Sequence, residues 1–251
     1  MGDKHGMNDK TYKTGKHGAN YKHGMNDIHN TGCLIIHGFG GNYDEVSPLA
    51  NRLKKKGYKV VCPALAGHTG RRSDLKKACY VDWILSAEKV LLDLASRCRS
   101  VYIIGFSMGG LIAFNLALKH PVAGIVTINT PIYYWDVGKI LSNIVKGLTG
   151  GGSAPIRRYF RAVVKFPLRA LISFRILLAR TKPLVNDITC PVLVTQGLDD
   201  DTTRRDSARY IFESVSSEVK RIKYYQNAGH LMLHSPAAGE VIRDIEGFLE
   251  G

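Results

Sequence analysis

Acidic side chains are scarce: against 35 Lys and Arg the 251-residue chain carries 21 Asp and Glu, a formal net charge of +14. A balance this basic raises a polyanionic partner. No recognisable nucleic-acid module interleaves those charges, however, so nucleic acid is not expected as a partner. Long apolar runs are missing as well. Arg169, Arg175 and Arg180 punctuate the most hydrophobic stretch, which leaves nothing near the ~18 uninterrupted apolar residues of a membrane-spanning helix. The first 30 residues lack the apolar segment of a secretory signal, and the expected location is cytoplasmic. Cysteines are few, odd in number at five, and without C-x-x-C spacing, which argues against a disulfide framework, a zinc site or a redox dithiol. Cys33, Cys62 and Cys190 lie in or beside strand-like runs while Cys79 and Cys98 flank a helical pattern, so reduced, mostly buried thiols are expected. Neither G-x-x-x-x-G-K-[ST] nor G-x-G-x-x-G occurs, and a phosphate-binding loop is disfavoured.

What is present divides the chain. Residues 1–30 repeat Lys-His-Gly-Met-Asn-Asp at Lys4 and Lys22 and contain almost no apolar side chain. Such a segment cannot offset the entropy of ordering itself, so it reads as a flexible polar leader with the look of an engineered or non-native extension. From residue 31 onward, β-branched runs (Cys33–Ile36, Val60–Cys62, Val101–Ile104, Ile125–Ile128, Val192–Val194) alternate with amphipathic stretches (Asp44–Lys56, Tyr80–Ala95, Leu111–His120, Arg204–Val215, Ala238–Leu249). That alternation predicts an α/β fold, a doubly wound, mostly parallel sheet covered by helices. About sixty residues between Asn129 and Val192 break the pattern, and a loop that long is usually a lid or subdomain. The predicted organisation is a core of residues 31–130 and 191–251 with a helical cap at 131–190. The cap segment carries +8 of the charge and the leader +2, leaving +4 on the core.

Gly105-Phe106-Ser107-Met108-Gly109 follows one apolar run and precedes a helical one, the strand–turn–helix context of a nucleophile elbow. A serine hydroxyl needs a base to take its proton and a carboxylate to orient that base. In this arrangement the carboxylate and then the histidine follow the serine along the chain. Here Asp199-Asp200-Asp201 follow the run Val192–Gln196, and His230 follows the strand-like Arg221–Tyr224. His234 and His68 read as packing or structural residues. An oxyanion needs backbone donors: His37-Gly38-Phe39-Gly40-Gly41 can aim the Phe39 N–H inward, and the Met108 N–H opens the helix after Ser107.

The stretches Leu34–Gly41, Ala66-Gly67-His68, Val81-Asp82-Trp83, Gly105–Gly110 and Gly229-His230 resemble the small bacterial carboxylesterase and monoacylglycerol lipase family of α/β-hydrolases. The likeness runs from about residue 31 to the end. It implies a helical cap inserted after the sixth strand, and it singles out Asp200 from its two neighbours as the partner of His230. It implies Ser107, Asp200 and His230 as the triad and Phe39 and Met108 as oxyanion donors. The activity implied is hydrolysis of short- to medium-chain carboxylic esters, or of a monoacylglycerol, through an acyl-serine, with no metal and no cofactor. A thioesterase or acyltransferase using the same triad is the alternative. Ile132, Tyr133, Tyr134, Trp135 and Leu141 are the expected acyl-pocket residues. The basic cap, where Arg157, Arg161, Lys165 and Arg169 recur every four residues, is a candidate for weak contact with anionic lipid.

Overall fold

The computed structural model describes residues 27–133 and 166–251. Within them six strands, β1 (Thr31–Ile36), β2 (Lys59–Val61), β3 (Ser100–Phe106), β4 (Gly124–Ile128), β5 (Val192–Gly197) and β6 (Lys220–Tyr225), form one sheet. All neighbours are parallel, in the order β2-β1-β3-β4-β5-β6. The helices are α1 (Ser47–Lys55), α2 (Arg72–Lys77), α3 (Tyr80–Ala95), α4 (Met108–Ala117), α5 (Leu168–Leu184), α6 (Arg205–Ser214) and α7 (Ala238–Glu250). This is the doubly wound, parallel α/β sheet covered by helices that the sequence predicts.

Successive side chains of a strand point to opposite faces, so a strand covered on both sides reads as an unbroken apolar run. In β1, Cys33 and Ile35 enter the core shared with α1 and α7, while Leu34 and Ile36 enter the one shared with α3, α4, α5 and α6. The edge strand β6 alternates instead, with Lys220 half-buried and Arg221 and Lys223 exposed, and charges on an edge discourage pairing with other chains. Among the described residues no helix is long and apolar enough to cross a membrane.

Several expectations shift. Residues 28–30, assigned to the leader, form a short 3-10 turn, and Ile28 packs against the α1/α7 core; residues 1–26 lie outside the described part. Counted among the described residues, the insertion follows the fourth strand, β4. Within the insertion, α5 is tied to the body: Ala170, Phe174 and Leu177 join the core of α3 and α4. Ser173 Oγ accepts the Tyr80 N–H at 2.6 Å, and Asn115 Nδ2 donates to Thr181 Oγ1 at 2.7 Å. The basic positions Arg157, Arg161 and Lys165 lie outside the described residues. All five thiols are free, but Cys33 alone is fully buried.

Candidate active site

Because every strand runs the same way, the loops after β1, β3, β4, β5 and β6 gather on one edge of the sheet. Ser107 sits there between β3 and α4 with φ +52° and ψ −118°, a left-handed conformation that a non-glycine residue keeps only when its surroundings impose it. They do. The Ser107 N–H donates to Ile128 O at 2.8 Å and its carbonyl accepts the Gly110 N–H at 3.0 Å. A Cβ on Gly105 would overlap the Gly109–Gly110 backbone, one on Gly109 would overlap Ile36 O, and one on Gly110 would overlap Thr130 Oγ1. The glycines around Ser107 are therefore a packing requirement, and Gly110 belongs with the two that the motif names. Met108 opens α4, so its N–H is one of the first-turn donors that have no acceptor within the helix.

Asp200 and His230 meet on the same edge, with His230 Nδ1 2.9 Å from Asp200 Oδ2. An ionised carboxylate only accepts, so Nδ1 carries the proton and Nε2 is left with its lone pair. The Asp200 side chain is fully buried and that of His230 is 20% exposed. The other carboxylate oxygen, Oδ1, accepts the N–H groups of Thr202 and Thr203 at 2.7 and 2.9 Å, an Asx-type turn that fixes the carboxylate plane. Asp199 and Asp201 are exposed. His234 turns away, its Nε2 against Asp44 O at 2.7 Å, in keeping with a packing role. The Phe106 ring lies 5.1 Å from that of His230.

Asn129, which the sequence marks only as a strand end, links these loops. It is fully buried at φ +49°. Its Nδ2 donates to Gly229 O at 3.0 Å and His230 O at 2.8 Å, while its Oδ1 accepts the Gly197 N–H at 2.8 Å. The Thr203 hydroxyl donates to Asn129 O at 3.1 Å. One side chain thus fastens the loop of His230 to the end of the strand that carries Asp200. A polar residue tolerant of left-handed φ at a strand terminus, Asn129-Thr130-Pro131, is the signal that points to it.

The turn after β1 is braced by His37, whose Nδ1–H donates to Gly38 O at 2.9 Å while Nε2 accepts the Leu65 N–H at 3.4 Å. Burial pushes this imidazole below its ordinary pKa. Phe39 then enters an aromatic cluster, its ring 4.9 Å from Phe166, 5.3 Å from Phe174, 5.7 Å from Trp83 and 6.3 Å from His68. His68 is driven to a pKa of about 4, first by burial and then by the neighbouring His37. Phe166 and Phe174 escape a motif-based reading, since aromatic residues at these spacings look like ordinary core, whereas His68 and Trp83 stand in stretches that carry the family resemblance but receive no site role from it.

Of the expected pocket residues, Ile132 is buried in the core of α3 and α4. Tyr133 is bound elsewhere than Phe39: its N–H donates to Ser207 Oγ at 3.0 Å, its ring meets Tyr210 at 5.6 Å, and Lys182 Nζ lies 4.3 Å over it. Tyr134, Trp135 and Leu141 lie outside the described residues. Among the described residues no group of three or more His, Cys, Asp or Glu could hold a metal ion.

The chain is 33% identical over 215 residues to a thermostable monoacylglycerol lipase of Bacillus sp. (strain H-257), covering 80% of this chain and 82% of the relative. It is 26% identical over 224 residues to a carboxylesterase of Bacillus subtilis (strain 168), covering 86% and 91%. Among solved structures, one of metagenome-derived lipolytic enzymes superposes with a TM-score of 0.75 at 22% identity, over 88% of this chain and 94% of that one. A soluble variant of monoglyceride lipase from Saccharomyces cerevisiae superposes at 0.69 and 18% identity, over 90% and 88%. A model of the alpha/beta hydrolase family matches residues 33–243, nearly the whole span from β1 to α7, and the chain belongs to that family.

Proposed function

We propose that the protein is a serine carboxylic-ester hydrolase in which Ser107 is the nucleophile, His230 the general base and Asp200 the carboxylate that orients it. The observation that carries this reading is the contact of the buried Asp200 carboxylate with His230 at 2.9 Å on the sheet edge where Ser107 is held in its strained turn. With Nδ1–H engaged by Asp200, Nε2 is the atom that takes the Ser107 proton as Oγ attacks the ester carbon. The oxyanion of the tetrahedral intermediate is met by the N–H groups of Phe39 and Met108, the latter with the positive end of the α4 dipole behind it. His230 then hands its proton to the departing alcohol, and water, deprotonated by the same nitrogen, hydrolyses the acyl-Ser107. Kinship with a monoacylglycerol lipase and a carboxylesterase supports an acyl ester substrate. The aromatic cluster around Phe39 offers an apolar wall for a short or medium acyl chain, and residues 131–190 in this reading cap it. The chemistry calls on no metal or cofactor.

A chain-length panel of p-nitrophenyl esters and monoacylglycerols on the parent and on Ser107→Ala tests the assignment. The variant is expected to lose about 10³-fold or more in kcat with its fold intact. Turnover that survives the substitution removes the acyl-serine mechanism.

A further inference from the structure

Glu45 stands in the 3-10 turn Tyr43–Val46 ahead of α1, and the chemistry above makes no use of it. Its carboxylate nevertheless lies inside the turn that follows β1, with Oε2 accepting the Gly38 N–H at 2.9 Å. The glycines of that turn are fitted to it. A Cβ on Gly41 would overlap the carboxylate, and one on Gly38 would come within 3.2 Å of both Oε2 and the Phe106 ring. The next peptide is held from the other side, since Gly38 O accepts His37 Nδ1–H at 2.9 Å and the Gly41 N–H at 3.2 Å. The described residues contain no cis peptide, and a planar trans amide points its N–H opposite to its C=O. Whatever holds the Gly38 carbonyl therefore aims the Phe39 N–H. Gly38, lacking a Cβ, would otherwise be the joint with the widest choice of torsions in the turn, and Glu45 fixes the peptide on its near side.

We propose that Glu45 is a positioning residue for the oxyanion site: by accepting the Gly38 N–H, its carboxylate locks the turn His37–Gly41 in the form that aims the Phe39 N–H at the developing oxyanion. The inference rests on the serine-hydrolase reading and adds to it a side chain outside the triad. What matters is an acceptor oxygen at glutamate's reach. Glutamine keeps that oxygen without the charge, aspartate keeps the charge but withdraws the oxygen by one methylene, and alanine removes both.

The test compares Glu45→Gln, Glu45→Asp and Glu45→Ala with the parent and with Ser107→Ala. The readouts are kcat and KM on p-nitrophenyl butyrate, thermal midpoints, and affinity for an alkyl boronic acid that forms a tetrahedral adduct on serine. Glu45→Gln is expected to stay within about threefold of the parent in kcat, while Asp and Ala lose about 10–100-fold, with KM within about twofold and boronate affinity falling in parallel. Aspartate turning over like the parent overturns the proposal. So does glutamine losing as much as aspartate, or a loss that appears in KM and leaves boronate affinity unmoved. Should the alanine variant fail to fold, the Gln–Asp contrast decides alone. Turnover surviving in Ser107→Ala removes the hydrolase reading and this inference with it, whereas an inactive Ser107→Ala beside a fully active Glu45→Asp overturns the positioning role only.

Discussion

Asn129 spends every polar atom of its side chain on backbone that belongs to other loops: two carbonyls, Gly229 O and His230 O, and one N–H, that of Gly197. Removing it leaves those groups buried without their partner, each costing about 1–3 kcal/mol. Glycine is the cleaner replacement, because it accepts the positive φ at this position while alanine would add backbone strain. Asn129→Gly is expected to destabilise the protein by about 2–4 kcal/mol in urea unfolding and to lower kcat by about 10–100-fold as His230 loosens from Asp200. Unchanged kcat in a folded variant would show that the clasp is structural alone. The contrast with Ser107, Asp200 and His230 explains what a single sequence can disclose. Those three stand in short signatures at the ends of runs that read as strands. Asn129 acts on backbone atoms up to 101 residues away and Glu45 on an amide seven residues back; the strand-end position of Asn129 marks it as a residue tolerant of left-handed φ, but nothing in the sequence names the backbone groups that either side chain holds.

Elements were legible in proportion to how one-sided their burial is. β1, β3, β4 and β5 are buried along nearly their whole length and stand out as β-branched runs, and α3 is predicted over the residues it occupies, Tyr80–Ala95. α2 leaves no trace in the pattern because only Leu75 of its six residues is buried, too little for a period to show. α4 starts at Met108, three residues before the predicted Leu111, since Gly109 and Gly110 are poor helix formers retained for close approach to Ile36 and Thr130. Two glycine substitutions separate these effects. Gly109→Ala drives a methyl into Ile36 O and is expected to cost at least about 2 kcal/mol. Gly247→Ala, in α7 with nothing beyond the helix's own backbone within 4 Å of the new methyl, is expected to stabilise by about 0.5–1 kcal/mol through helix propensity. Thermal unfolding of both checks the pair, and a Gly109→Ala protein as stable as the parent would contradict the packing described for the serine turn.

For the whole molecule, the balance of charge lies largely outside the two apolar cores, and its response to acid is set by imidazoles held where charge is least tolerated. His68 is 7% exposed and His37 2%. The His68 Nδ1 faces Ala66 O at 3.1 Å, whereas its Nε2 is buried with no hydrogen-bond partner among the described residues, as is Trp83 Nε1 beside it. Burial and the His37 ring lower the His68 pKa from 6.5 to about 4 in the folded protein, and burial lowers that of His37 as well. The unfolded chain takes up these protons near the ordinary value, so between about pH 6.5 and 4 it binds more protons than the native state, and stability falls with pH across that window. At pH 5 the His68 contribution alone amounts to about 2 kcal/mol relative to pH 7.5, and below pH 4 it stops growing. The carboxylates Asp74, Asp82 and Glu88, whose pKa values lie below their ordinary ones, add their own losses only near and below pH 4–5, under most of the histidine window. Urea midpoints measured at pH 7.5, 6.0 and 5.0 on the parent and on His68→Phe are expected to fall steeply for the first and distinctly less for the second. Equal slopes for the two would mean that His68 is not the group whose protonation the fold resists.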